Sequence, residues 1–136
     1  MAHRRSCRPR LAAICAAALL SACAESGPAY EPPAGNVAAT VEMRDFRFHP
    51  ETLRINAGDT VEWRNKSYFT HTVTADPARN AEDISLPPGA APFESGRIPP
   101  GQVYRHTFTD PGTYRYICIP HSDLGMTGSV IVAPRS

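Results

Sequence analysis

Short runs of alternating apolar and polar residues occupy most of the chain beyond position 37, and each is closed by turn-forming residues. The runs fall at 37–43, 52–56, 60–65, 70–75, 102–108, 113–118 and 128–132, separated by segments such as Asn56-Ala57-Gly58-Asp59, Pro99-Pro100-Gly101 and Asp110-Pro111-Gly112. No long stretch repeats its apolar residues at helical spacing. The pattern therefore predicts an all-β fold, a Greek-key sandwich or barrel of about seven to eight strands. A chain of 136 residues is too short for two sizeable cores, so one folded domain is expected, at 37–136. Trp63 shares a strand face with Val61 and is assigned to the core. Tyr114, in Asp110-Pro111-Gly112-Thr113-Tyr114, has the setting of a tyrosine corner. The Pro-rich segment 76–92 shows no clear period, and a short helix or strand is possible there.

The N-terminus has a different composition. Arg4, Arg5, Arg8 and Arg10 precede an apolar run at 11–20 that is too short to span a bilayer. Leu20-Ser21-Ala22-Cys23 follows and resembles the lipobox of bacterial lipoproteins, in which cleavage leaves the cysteine lipidated at the new N-terminus. Residues 1–22 are accordingly expected to be a removed signal peptide and Cys23 a lipid anchor. Residues 23–36, rich in Pro, Gly and Ala, are expected to form a flexible spacer that lets the domain stand off a membrane.

Removing that segment sharpens the cysteine and charge arithmetic. Cys7 and Cys15 are lost and Cys23 is used by the anchor, which leaves Cys118 alone. A single thiol in an exported domain suggests metal ligation, because oxidising compartments favour paired cysteines. The balance of 14 basic to 13 acidic residues becomes 10 to 13, a formal charge of −3. No basic run or stripe is present, so nucleic acid is excluded as a partner.

Cys118, His121 and Met126 lie together in Cys118-Ile119-Pro120-His121-Ser122-Asp123-Leu124-Gly125-Met126, and His71 stands upstream in Thr70-His71-Thr72-Val73. One thiolate, two imidazoles and a thioether are the donors of a blue-copper electron-transfer site. Taken singly, each has an ordinary structural reading: a satisfied histidine, a core methionine, a small buried cysteine. Zinc is the rival metal, but structural zinc takes four strong donors and a thioether is a poor fourth. Period-2 alternation puts Tyr114, Tyr116 and Cys118 on one face, aiming the sulfur inward. Pro120 stiffens the loop, and Gly125 frees the turn before Met126. His71, within the expected strand 70–75, has to approach from across the sandwich. His49 is expected in an exposed turn. His106, sharing a face with Tyr104 and Phe108, is expected to be a hydrogen-bonded structural residue rather than a ligand.

These motifs together resemble the cupredoxin family, and are most similar to its plastocyanin, halocyanin and pseudoazurin members. The likeness runs from Phe46 to Asn65, through Ser67-Tyr68-Phe69-Thr70-His71-Thr72-Val73, and through Asp110 to His121. It implies equatorial copper ligands His71, Cys118 and His121 with Met126 axial, and a function as a single-electron carrier rather than an enzyme. It also implies electron exit at the exposed edge of His121, with Phe69, Pro120 and Leu124 around it as a docking surface for transient redox protein partners. Thr72 stands where plastocyanins carry an asparagine, and Thr72 and Asn65 are the candidate residues supporting the ligands. The acidic docking run of some plastocyanins has no counterpart. A monomeric, exported carrier at the cell envelope is expected, anchored by Cys23 and facing the periplasm or the extracellular side. Copper storage or delivery at the envelope, without a redox circuit, is the alternative reading.

Overall fold

In the computed structural model, residues 36–136 are described. The expected signal segment, Cys23 and nearly all of the spacer lie outside them. Nine strands form two packed sheets among the described residues. One sheet has the order β2-β1-β4-β7, built from β1 (Val37–Arg44), β2 (Arg47–His49), β4 (Thr60–Asn65) and β7 (Val103–Thr107). The other has the order β3-β9-β8-β5-β6, built from β3 (Thr52–Asn56), β9 (Thr127–Ala133), β8 (Gly112–Ile117), β5 (Thr74–Ala75) and β6 (Phe93–Glu94). Both sheets are mixed, with β1 parallel to β4 and β3 parallel to β9. The all-β sandwich is as expected, although the strand count is higher than seven to eight.

The alternation read from the sequence is the alternation that is buried. Val61 and Trp63 point into the sandwich and are fully buried, as are Tyr116 and Val130 from the facing sheet. Trp63 meets Tyr116 edge-on with ring centroids 5.5 Å apart, and also packs against Tyr104 at 5.8 Å and Phe108 at 6.2 Å. Such geometry suits the ring quadrupoles. The tyrosine corner forms: the Tyr114 hydroxyl donates to the Asp110 carbonyl at 2.8 Å. Gly128 pairs with Tyr116 across β9 and β8, and a Cβ at Gly128 would lie 2.4 Å from the Tyr116 ring. Only a missing side chain lets this large ring lie against the neighbouring strand.

Several local elements depart from the sequence reading. The strand expected at 70–75 is reduced to Thr74–Ala75, with His71 held in an isolated bridge to Ile98. The cause lies in where the amides go. His71 pairs its N–H and C=O with Ile98, whereas the next amide, Thr72 N–H, donates to Cys118 Sγ instead of to a ladder. Because β5 pairs with β8 through Thr74 and Ile117, the segment just before β5 that carries His71 runs beside the end of β8 at Cys118, on the same side of the sandwich. The hairpin β1–β2 turns through Asp45 and Phe46 with φ of 53° and 55°, a turn that Phe does not announce in sequence. His49, expected in an exposed turn, ends β2 and is partly buried. Segment 76–92 is turns, with one bridge from Ser85 to Arg115.

β4 is buried on both faces, and Glu62 on its outward side is only 1% exposed. Arg64 and Arg105 cover it; Arg64 Nε bonds one carboxylate oxygen, and Arg105 Nε donates to the other at 2.7 Å. Burial alone would raise the Glu62 pKa, but the hydrogen bonds and charges of Arg64 and Arg105 together hold it below the ordinary 4.5. A carboxylate with a depressed folded-state pKa contributes stability above the unfolded value and loses it as pH falls through the folded one. Glu62→Gln is therefore expected to lower stability at pH 7 by about 1–3 kcal/mol, since the hydrogen bonds to a charged group are lost. In denaturant titrations that deficit should shrink steadily as pH is lowered below 4.5; a pH-independent deficit would contradict the assignment. Gly128→Ala should displace the Tyr116 ring and cost about 1–3 kcal/mol by the same measurement, as overpacking does.

Candidate metal centre

β8 delivers Cys118 at its end, and the chain then enters a 3-10 helix at Ile119–Leu124 before β9 begins. Pro120 sits in the first turn of that helix, where its missing N–H leaves no bond unmade. Gly125 closes it with φ 73°, a left-handed cap that glycine adopts without strain. The resulting loop folds back on itself: Cys118 N–H donates to the Met126 carbonyl at 3.0 Å, and Met126 N–H to the His121 carbonyl at 3.3 Å. Three of the four sequence-predicted donors are thus tied to one another by main-chain bonds.

The fourth, His71, reaches the same point from the segment before β5. Its Nδ1 lies 3.5 Å from Cys118 Sγ, and His121 Nδ1 lies 3.3 Å from the same sulfur. The ligating atoms of His71, Cys118 and His121 all fall within 4.8 Å of one another. His71, Cys118 and Met126 are fully buried, whereas His121 remains partly exposed. The cysteine is free of any disulfide.

The surroundings prepare these atoms for a metal. Ser67 Oγ lies 2.7 Å from His71 Nε2 and itself donates to Asn65 Oδ1 at 2.9 Å. With its own proton so used, the hydroxyl accepts from Nε2–H, which leaves the Nδ1 lone pair facing the thiol. Asn65 also donates through Nδ2 to the carbonyls of Phe69 at 2.6 Å and Ile98 at 2.9 Å, so one buried side chain anchors both sides of the His71 bridge. Thr72 links the two donor segments: its N–H donates to Cys118 Sγ at 3.4 Å, and its Oγ1 accepts from Ile119 N–H at 2.9 Å.

Protonation follows from burial. Loss of water, reinforced by the charge of His121, lowers the His71 pKa to about 4, so the imidazole is a neutral donor at pH 7. Burial raises the Cys118 thiol pKa, against the lowering effect of hydrogen bonds from Thr72 and His121. A metal cation that replaces the thiol proton removes this penalty. The donor set is soft and mixed, with one thiolate and two imidazoles beside a buried thioether, and it fits a single type 1 copper ion.

The remaining predicted residues have clear positions. Phe69 and Leu124 are 53% and 59% exposed, and Pro120 is exposed as well. The Phe69 ring centroid is 6.5 Å from that of His121. His106 lies away from this cluster on β7, its ring stacked at 3.9 Å on Phe93 and edge-on to Phe108, and burial lowers its pKa to about 4. Two residues near the donors are not anticipated from sequence. Ser67 was within reach of inference, standing four positions before a ligand-type histidine. Phe46 carries no such signal; its ring lies 4.9 Å from His121 only because the preceding turn is left-handed.

Comparison with known proteins agrees with this geometry. Residues 35–133 match the family described as copper binding proteins, plastocyanin/azurin family. Chloroplastic plastocyanin of Tetradesmus obliquus is 34% identical over 99 residues, covering 73% of this chain and 67% of that protein. Plastocyanin of Scenedesmus fuscus is 36% identical over 90 residues, covering 62% and 85% respectively. Among solved structures, the Cu(I) form of a methionine-to-alanine mutant of amicyanin superimposes with a TM-score of 0.58 at 30% identity, covering 72% of this chain and 84% of that one. An oxidised methionine-to-leucine mutant of amicyanin gives 0.57 at 29% identity, covering 70% and 81%. With its two-sheet fold, its His-Cys-His-Met grouping and a family match over most of its length, the chain belongs to the plastocyanin/azurin family of copper binding proteins.

Proposed function

We propose that this chain is a blue copper protein that carries single electrons between redox partners at the cell envelope. The observation that carries this reading is the convergence of His71, Cys118 and His121 within 4.8 Å, beside the buried Met126. His71, Cys118 and His121 hold the metal and Met126 supplies the weak fourth donor. Bound copper supplies a one-electron exchange between Cu(I) and Cu(II). The chain contributes rigidity. Asn65, Ser67 and Thr72 hold His71 and Cys118 through main-chain and side-chain bonds that do not depend on the ion, so the donors need not rearrange when charge changes.

His121, the one donor with solvent access, is the electron's exit, and Phe69, Pro120 and Leu124 form the surface that a partner meets. Redox partners meet through small, transient interfaces, which an exposed apolar rim suits. The plastocyanin and amicyanin relatives support a carrier rather than an enzyme. The N-terminal residues extend the reading: residues 1–22 direct export and are removed, Cys23 is lipidated, and 23–36 tether a monomeric domain that comprises 37–136. Tethering raises the local concentration of the carrier near membrane-bound partners.

Adding Cu(II) to the protein is expected to produce an intense blue absorption band, and Cys118→Ser to abolish it. A colourless protein that prefers zinc would overturn the copper assignment. Voltammetry should then give reversible one-electron cycling; slow electron exchange coupled to ready copper loss to an acceptor would favour copper storage or delivery instead. Fatty-acid labelling of the full chain in bacterial cells should mark the wild type and fail in Cys23→Ala.

A further inference from the structure

Asp45 and Phe46 are consecutive non-glycine residues in the left-handed region, with φ of 53° and 55°. There the Cβ crowds the following carbonyl oxygen, and two-residue hairpin turns of this kind favour an Asn-Gly or Asp-Gly pair. Asp45 suits its place. Phe46 occupies the place where glycine would relieve the crowding, and a bulky residue persists there only when its surroundings hold it.

Those surroundings are the metal donors. The Phe46 ring centroid lies 4.9 Å from that of His121 and 6.3 Å from that of His71, which it meets edge-on. Phe69 also packs against it at 4.9 Å. The two imidazoles are themselves 4.8 Å apart. His121 is the least buried of the four donors, and no hydrogen bond to its Nε2 is present among the described residues. Ser67 fixes the outer nitrogen of His71, whereas the ring of His121 has a polar contact only at Nδ1, with Cys118 Sγ at 3.3 Å, and is otherwise oriented by packing. Phe46 supplies much of that packing, its ring 4.9 Å from the imidazole against 6.5 Å for Phe69.

We propose that Phe46 is a positioning residue for the copper centre: held in a strained turn, its ring orients His121 against His71. The proposal rests on the copper reading above, although its consequence for the His121 ring also holds in the metal-free protein.

The test compares wild type with Phe46→Gly, which deletes the ring and relieves the turn, and with Phe46→Tyr, which keeps the ring. Phe46→Asn, also tolerant of left-handed backbone, serves if the glycine variant does not fold. In the metal-free proteins, NMR relaxation of the His121 ring should show increased mobility in Phe46→Gly and wild-type order in Phe46→Tyr. In the copper-loaded proteins, release of copper to a chelator should accelerate at least about tenfold in Phe46→Gly, the scale at which residues supporting a ligand act, with a shifted reduction potential. Phe46→Tyr should restore both. Unchanged His121 mobility, copper release and potential in a folded ring-less variant would overturn the proposal, as would failure of Phe46→Tyr to restore them. Absence of a blue band in wild type would instead defeat the copper reading, and the ring-mobility comparison would still decide the role of Phe46.

Discussion

Thr72 joins the two halves of the metal centre, and the rest of the site depends on that junction. His71 and Cys118 are 47 positions apart in sequence. Thr72 spans the gap with two bonds, one from its amide to the cysteine sulfur and one accepted by its hydroxyl from Ile119 N–H. The amide bond to sulfur takes a donor away from strand pairing, which is why the strand before the site shortens to two residues. The hydroxyl bond fastens the start of the 3-10 helix, and through it the loop bearing His121 and Met126. The short threonine side chain suffices for this because Ile119 N–H lies 2.9 Å from its hydroxyl.

Behind this junction stands a second layer of polar contacts. Asn65 is 1% exposed and ends β4, the strand most deeply set in its sheet. Its amide satisfies two carbonyls and its oxygen accepts from Ser67 twice, so the segment carrying His71 is secured to a core strand. A buried side chain that satisfies its whole hydrogen-bonding capacity rigidifies what it touches. β4 is held in turn by Trp63 inside and by the Glu62 pairs with Arg64 and Arg105 outside. The path from core to donor is short: Trp63, then Asn65, Ser67 and His71.

The exposed side of the site is built differently. His71 and Cys118 are each held by several directional bonds, whereas the His121 ring has one polar contact, from Nδ1 to Cys118 Sγ, and is otherwise packed by rings. Aromatic packing tolerates small displacements better than a hydrogen bond, and it leaves the outer edge of the imidazole free to meet a partner. The donor that must communicate with the outside is thereby the one least constrained by polar contacts.

Much of this was legible in the residues. Alternation predicts the sandwich because strand side chains point to opposite faces and only one face is buried, and Trp63, Tyr114 and Cys118 could be placed by that rule. The donor set itself is a matter of chemistry and spacing: a thiolate, two imidazoles and a thioether, three of them within one loop, indicate copper before any coordinates are known. Tertiary structure alone decided how His71 arrives. Local pattern read a strand crossing from the far sheet, whereas competition between a ladder and the cysteine sulfur for one amide breaks that strand and sets His71 beside β8. It alone also brought Phe46 to His121, because a left-handed phenylalanine has no local signature and exists only where distant rings hold it. Sequence determines which donors and which strands are available, since those follow from side-chain chemistry and period; the aim and the shielding of each donor follow from long-range contacts that no local run of residues encodes.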